Sequence, residues 1–281
     1  MKKKIILSII LLVTILITIW TIWGNLTVGV TRYAVVSDRI PEAFDDYKIA
    51  VISDLHNAEF GKENESIVEK VRKENPDIIV MTGDLVDSNK IDIDIAITLV
   101  KQLMEIAPCY YVTGNHEAWI GIQYQILEQR LLKEGVIILH DEVIELKKDN
   151  ELIQLAGLDD PDFTSRDSYE HLHILDKKLK EMTLSEDYCI LLSHRPETFE
   201  AYVSNNIDLV LSGHAHGGQF RLPFFGGLIA PGQGWFPKYT CGKYTESETT
   251  MIVSRGIGNS IIPIRFNNRP EILIVILISS Q

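Results

Sequence analysis

Five short apolar runs in the 281-residue chain each end in the same kind of side chain. Tyr47–Ser53 leads into Asp54-Leu55-His56, Asp77–Thr82 into Gly83-Asp84-Leu85-Val86-Asp87, and Cys109–Thr113 into Gly114-Asn115-His116-Glu117. Two later runs end at Ser193-His194 and at Ser212-Gly213-His214-Ala215-His216. Such runs read as strands buried on both faces, which requires a packed layer on each side of the sheet. Strand carboxyl ends converge on one rim of an α/β sheet, where these folds bind ligands. A single histidine after a strand is usually a paired structural group, and an aspartate after glycine is usually turn chemistry. Here five of the eight histidines stand at strand exits, each beside Gly, Asp, Asn or Ser.

The segments between the runs alternate with them. Amphipathic patterns predict helices over Glu63–Asn75 (stopped by Pro76), Ile91–Ile106, 123–134 and 168–182. Val136–Leu139 reads as a short strand, and Val143–Lys147 and Glu151–Ala156 as a hairpin around Lys148-Asp149-Asn150. The last hundred residues lose helical periodicity and read as strands joined by Gly/Pro turns, with Ile272–Ile278 a buried strand too short to span a membrane. This order predicts an α/β protein with sheet packed on sheet and helices outside. Residues 47–281 form the domain, 25–46 a stalk and lead-in edge strand, and 1–24 a tether.

The tether is Lys2-Lys3-Lys4 followed by Ile5–Trp23, 19 residues without a charge. A helix of that length, at ~1.5 Å per residue, roughly spans a hydrocarbon core of ~30 Å. A cleaved signal peptide is the alternative, but the apolar stretch is long for one and no small-x-small site follows in Gly24–Val28. Three lysines before the segment, against Arg32 soon after it, predict a cytoplasmic amino-terminus, Trp20 and Trp23 at the outer interface, and a single-pass protein whose body is extracytoplasmic.

Net charge is −12, and without the three anchor lysines the body holds 24 basic against 39 acidic residues, or −15. That balance excludes broad electrostatic capture of nucleic acid. An acidic body that handles an anionic group needs local positive charge, and bound metal ions are the obvious source. Three cysteines with no CxxC exclude a disulfide scaffold, and Cys189 reads as a small buried hydrophobe.

The donor set at the strand exits is imidazole, carboxylate and one amide oxygen, without thiolate. It suits Mn²⁺, Fe²⁺, Zn²⁺ or Ni²⁺. In Asp54-x-His56 and His214-x-His216 the i, i+2 spacing predicts side chains on one face of an extended segment. Seven donors are too many for one tetrahedral ion but fit two ions ~3.5–4 Å apart that share a carboxylate. Asp84, alone in its motif after a glycine, is the natural bridge. His116-Glu117 begins a zinc-protease pattern, but Ile120 stands where its second histidine belongs.

These blocks, in this order from about residue 47 to 278, resemble the calcineurin-like metallophosphoesterase superfamily. With the anchor and Gly213-His-Ala-His-Gly-Gly-Gln219, they are similar to its membrane-attached bacterial phosphodiesterases, a branch that also contains pyrophosphatases of lipid-linked sugar nucleotides. The resemblance implies a four-layer α-β-β-α sandwich of two packed mixed sheets. It implies one ion held by Asp54, His56 and His216, a second by Asn115, His194 and His214, and Asp84 bridging both. His116 matches the general acid, and Asp87 a residue that orients its neighbours. The implied reaction is in-line attack on phosphorus by a hydroxide bridging the metals. A phosphodiesterase acting on a small molecule, a lipid or a cell-envelope polymer is the leading reading. A phosphomonoesterase or protein phosphatase, a lipid-linked nucleotide pyrophosphatase, and a non-catalytic metal-binding sensor are the alternatives.

Phe220–Gly227 and Gly234–Tyr239 crowd aromatics beside Gly and Pro just past the last two histidines. Aromatics dominate cores, so packing between the sheets is the expected placement. The other reading is a loop that touches an apolar substrate moiety or dips into a lipid surface, with Phe225 and Trp235 as contacts. Arg221 and Lys238 read as solvated charge, or as groups that help hold phosphate.

Overall fold

A computed structural model of the chain describes residues 2–280. In chain order the main elements are α1 (Lys2–Asn25), β1 (Gly29–Ser37), β2 (Lys48–Ile52), α2 (Glu65–Glu74), β3 (Ile78–Thr82), α3 (Ile93–Met104), β4 (Cys109–Val112), α4 (Asn115–Trp119), α5 (Ile122–Lys133), β5 (Ile137–Ile138), β6 (Glu142–Lys148) and β7 (Glu151–Gly157). They continue with α6 (Ser168–Glu181), β8 (Cys189–Leu192), α7 (Phe199–Ser204), β9 (Leu209–Ser212), the two-residue strands β10 (Arg221–Leu222), β11 (Gly226–Gly227), β12 (Ile229–Ala230) and β13 (Gly234–Trp235), then β14 (Gly242–Glu246), β15 (Thr249–Val253) and β16 (Glu271–Ser279).

Two six-stranded sheets result, in the orders β1-β16-β2-β3-β4-β5 and β14-β15-β9-β8-β7-β6. Both are mixed: β2, β3, β4 and β5 run parallel and β16 antiparallel to β2, while β7, β8, β9 and β15 run parallel and carry antiparallel edges. Alternation along each strand divides the apolar runs between two cores. Ile49, Val51, Ile78, Val80 and Val112 of the first sheet meet Ile153, Leu155, Ile190, Leu192, Leu209 and Leu211 of the second. The side chains between them, such as Ala50, Ile52, Ile79 and Met81, pack outward on Val71 of α2, Leu99 of α3 and Leu127 of α5. Leu191, Val210 and Met251 pack likewise on Leu175 of α6 and Tyr202 of α7. The result is the α-β-β-α sandwich. Cys189 sits in that last cluster, where burial pushes its thiol up to about 12.

Three readings need correction. α7 interrupts the stretch read as strands and turns, and α4 follows β4 directly; at six and five residues neither is long enough to show a helical period. The lead-in edge strand expected within 25–46 is β1, at the edge of the first sheet, and it leaves little of the segment as free stalk. Gly29–Ser37 pairs with all of β16, and Val28, Val35, Ile40 and Phe44 are buried. The aromatic segment does not lie between the sheets, and Phe224, Phe225, Trp235 and Phe236 are 69–105% exposed.

α1 is apolar and long enough to cross a membrane. Its last residue is clipped to the domain. Asn25 Nδ2 donates to Arg265 O and Asn25 Oδ1 accepts from Arg265 N, both at 2.8 Å.

Elsewhere His140 ties two layers, 2.9 Å from Glu128 of α5 and 2.8 Å from Asp159 after β7. The hydrogen bond to Asp159 is the main cause that raises it from 6.5 to about 8. A raised histidine stabilises the fold fully below its unfolded value, and this contribution is lost as pH rises through the folded one. The side chain is 40% exposed, so screening holds the effect to about 1 kcal/mol or less. Urea midpoints compared at pH 6 and pH 8.5 should fall across that window in the wild type and stay flatter in His140→Gln.

Candidate metal centre

The strands stop where their polar ends begin, and the backbone turns sharply there. Asp54, His56, Asp84, His214 and His216 all have φ between 44° and 65°. Left-handed backbone is uncommon for residues with a Cβ and marks places where surrounding structure imposes the conformation. The turns also need close backbone approach. A Cβ on Gly83, itself at φ +90°, would stand 2.7 Å from Gly114 Cα.

These turns bring seven side chains together, each no more than 5% exposed. Asp54, His56, Asp84 and His216 form one group of potential ligands, and Asp84, His194 and His214 another. His56 Nε2 lies 3.2 Å from His216 Nε2, and His194 Nε2 lies 3.1 Å from His214 Nδ1. Asp84 Oδ2 is 3.4 Å from His56 Nε2 and 3.2 Å from His194 Nε2, so it touches both groups. Asn115 Oδ1 joins the second at 3.2 Å from His194 Nε2. Asp54 and His56 thus share the first group, while His214 and His216 divide between the two, although all four stand on left-handed backbone.

The chemistry of this cluster fits two divalent cations. Burial holds His56 and His214 well below the usual imidazole value and His216 down to about 4, so their lone pairs are available. His194 goes the other way. Burial opposes charge on its ring, but Asp84 and then Asp54 outweigh it and raise His194 to about 10. The two carboxylates thus draw positive charge onto this spot. The backbone oxygen of Thr82, which can only accept, sits 2.7 Å from His194 Nδ1 and turns Nε2 to the cluster. Asp54 Oδ2 accepts from Ser53 Oγ at 2.6 Å, and its Oδ1 from His214 N at 2.9 Å. Imidazole, carboxylate and amide oxygen without thiolate suit Mn²⁺, Fe²⁺, Zn²⁺ or Ni²⁺.

The family model for calcineurin-like phosphoesterases matches residues 47–218, the span that supplies all seven donors. The chain belongs to that family. It is 30% identical over 256 residues to the metallophosphoesterase YkuE of Bacillus subtilis, covering 89% of this chain and 86% of the relative. A metallophosphoesterase of Aquifex aeolicus is 31% identical over 261 residues, covering 88% and 90%. A zebrafish "transmembrane protein with metallophosphoesterase domain" is 30% identical over 256 residues, covering 85% of this chain and 55% of that longer protein.

Beside this phosphoesterase centre lies His116, 3% exposed. Ser88 N donates to its Nδ1 at 2.9 Å, so the ring proton resides on Nε2, which lies 3.1 Å from Ser260 Oγ. Asp87 is grouped with His56 and His116. Its Oδ2 is 3.6 Å from His56 Nδ1, and its Oδ1 accepts from Asn89 N. Arg221 donates to Gly217 O and Thr240 Oγ1, which braces the turn after His216. Phe225 and Trp235 point into solvent.

Four groups escaped the sequence reading. Glu117, fully buried, accepts from Asp84 N, Leu85 N and Gly114 N at 2.7–2.9 Å and from Val86 N at 3.4 Å, and so holds two ligand loops at once. Burial, then the charge of Asp84, push it up to about 7, while the backbone donors favour the carboxylate. A glutamate two places after Asn115 at a helix start is a recognisable back-bonding signal. Arg195 is clamped by Asp160 and places Nη1 3.1 Å from His214 Nε2. Arg265, 1% exposed, places Nη2 3.3 Å from His216 Nδ1 and donates to Gly258 O, Arg255 O and Asn259 Oδ1. Ser260 is the fourth. No local pattern marks these last three, because their partners lie in other elements.

Proposed function

We propose that the protein is a membrane-tethered phosphodiesterase. The observation that carries this reading is a pair of adjoining pockets that both open at the His56–His216 side of the centre. One arm, from His56, is lined by Asn89, Lys90 and Asn259, and the other, from His216, by Ile229, Pro231 and Ile262; Ser260 and Ile261 belong to both. A diester carries a group on each side of its phosphate, and the two arms give each a place.

Two divalent ions, held by Asp54, His56, Asp84 and His216 and by Asp84, Asn115, His194 and His214, would polarise the phosphate and activate water at neutral pH. The remaining work falls to the chain. His116 presents Nε2–H to the leaving-group oxygen, while the Ser88 amide holds the ring. Asp87 places a negative charge beside the rings of His56 and His116, and Glu117 keeps the loops of Asp84 and Asn115 in register. His116→Ala should lower turnover by ~10²–10⁴-fold with two metal equivalents retained. Unchanged turnover in a loaded variant would assign His116 to its turn alone.

Bis-p-nitrophenyl phosphate should be hydrolysed faster than the mono-ester by protein loaded with Mn²⁺. The reverse preference would leave a phosphomonoesterase, and no turnover of either would leave a metal-binding sensor. The apolar length of α1 and the zebrafish relative named a transmembrane protein support the tether. The lysines before α1 support an extracytoplasmic domain, for which the substrate is a lipid, an envelope polymer or a small diester. Protease added to intact cells should then cleave the domain.

A further inference from the structure

The stretches Leu209–Thr245 and Thr249–Pro270 contain no Asp or Glu, although the chain carries 39 of them. They contain Arg221, Lys238, Lys243, Arg255, Arg265 and Arg269. The fold presses them against each other. Phe220 pairs with Phe266 in a β-bridge, Arg221 N donates to Phe266 O, and Gln219 Nε2 donates to Ile262 O and Ile264 O. It also presses them against the end of α1. Asn25 grips Arg265, the Arg269 guanidinium lies 4.5 Å from the Trp23 ring centre, and Phe266 lines a groove with Leu16, Ile19 and Trp20.

This face displays apolar side chains that a water-facing surface does not hold together. Phe224, Phe225, Trp235, Phe236 and Ile261 are each at least 69% exposed. Phe224 (φ 70°) and Phe236 (φ 53°) stand outward on left-handed backbone, an unfavourable geometry for a bulky residue. Large exposed apolar patches rimmed by polar residues mark protein or membrane contacts. The neighbouring helix decides between them. Only Leu26, Thr27 and Val28 separate α1 from β1, and three residues reach about 10 Å, so a spanning α1 brings the domain base to the bilayer surface. Arg265 is buried and Arg255 faces Glu271, but Lys238 is fully exposed and Arg269 lies against Trp23, and aromatic side chains beside such basic residues are a composition that anionic interfaces take up.

We propose that this face is seated in the interface of an anionic lipid bilayer beside α1, with Phe224, Phe225, Trp235, Phe236 and Ile261 at the headgroup–acyl boundary. The cleft at Ser260 and Ile261 then opens at headgroup depth, so a phosphoester resident in the membrane reaches the centre without leaving it. The seating rests on the tether reading of α1 and is independent of turnover.

The test uses the full chain, with Cys241→Ser as background, in vesicles of phosphatidylcholine and phosphatidylglycerol. Nitroxide labels are placed singly at Phe225→Cys, Trp235→Cys, Leu12→Cys in α1, and Tyr169→Cys, a 94% exposed position on α6. Collisions with oxygen should exceed those with a water-soluble nickel chelate several-fold at 225, 235 and 12, and the order should invert at 169. Nickel dominance at 225 and 235 with oxygen dominance at 12 overturns the seating and leaves the tether. Nickel dominance at all four positions overturns both. Neither result bears on hydrolysis, which the soluble diester assay reads separately.

Discussion

Asp84→Asn should leave a folded protein that binds fewer than two metal equivalents and has lost nearly all hydrolysis. Among the described residues Asp84 is the one carboxylate grouped with both histidine sets, with Oδ2 3.2–3.4 Å from His56 and His194. Burial works against its charge, yet His194, His116 and His56 outweigh that and hold it well below the usual carboxylate range. Its other oxygen, Oδ1, accepts from His116 N at 2.9 Å. Asparagine can keep that bond with its amide oxygen, which preserves the loop, but it then turns an NH₂ group towards the cations. The loss should exceed the ~10–100-fold in metal affinity or activity typical of residues one shell further out. Metal per chain by atomic emission, read beside diester turnover, checks it. Two equivalents with near-normal turnover would remove Asp84 from its bridging place.

Glu117→Ala should destabilise the protein by several kcal/mol and disorder both ligand loops. The carboxylate is buried and accepts from Asp84 N, Leu85 N and Gly114 N at ordinary hydrogen-bond distance. A buried donor left without a partner costs ~1–3 kcal/mol. Three such losses, about 3 kcal/mol or more, are a large part of a typical stability of ~5–15 kcal/mol. Glu117→Gln should fall between, since one amide oxygen remains to accept and the new NH₂ faces other donors. Urea denaturation of the metal-free chain separates this loss from that of metal. An alanine variant as stable as the wild type would show that the loops hold themselves.

The two residues differ in how visible they were. Asp84 announces itself, because it follows a strand and a glycine while Asp, Asn or His close the other strand ends. Glu117 sits among the same motifs but looked like part of a failed protease pattern, since its partners are backbone amides 31–33 residues away or across a helix turn. Arg195 follows His194 directly, yet nothing local says that its guanidinium meets Asp160 and the ring of His214. His214 and His216 show the limit of a periodicity rule. They divide between the two groups whereas Asp54 and His56, with the same spacing and the same left-handed backbone, share one, so spacing alone does not assign a donor to a group.

What the sequence determined by itself was everything carried by local pattern. Short, continuous apolar runs alternating with helical patterns dictated strands buried on both faces with layers packed against them, and strand endings named the donors and hence the class of metal. Nineteen uncharged residues marked the one helix, among the described residues, fit to cross a membrane. The tertiary structure alone decided which donors share a group, which buried residues hold them, and that the aromatics beyond His216 face outward beside α1 rather than inward between the sheets. The physical reason is common to all three. Apolar burial is summed along a strand and leaves a continuous run in the chain, whereas a hydrogen bond or an exposed patch depends on two segments distant in sequence that meet only once the layers have packed.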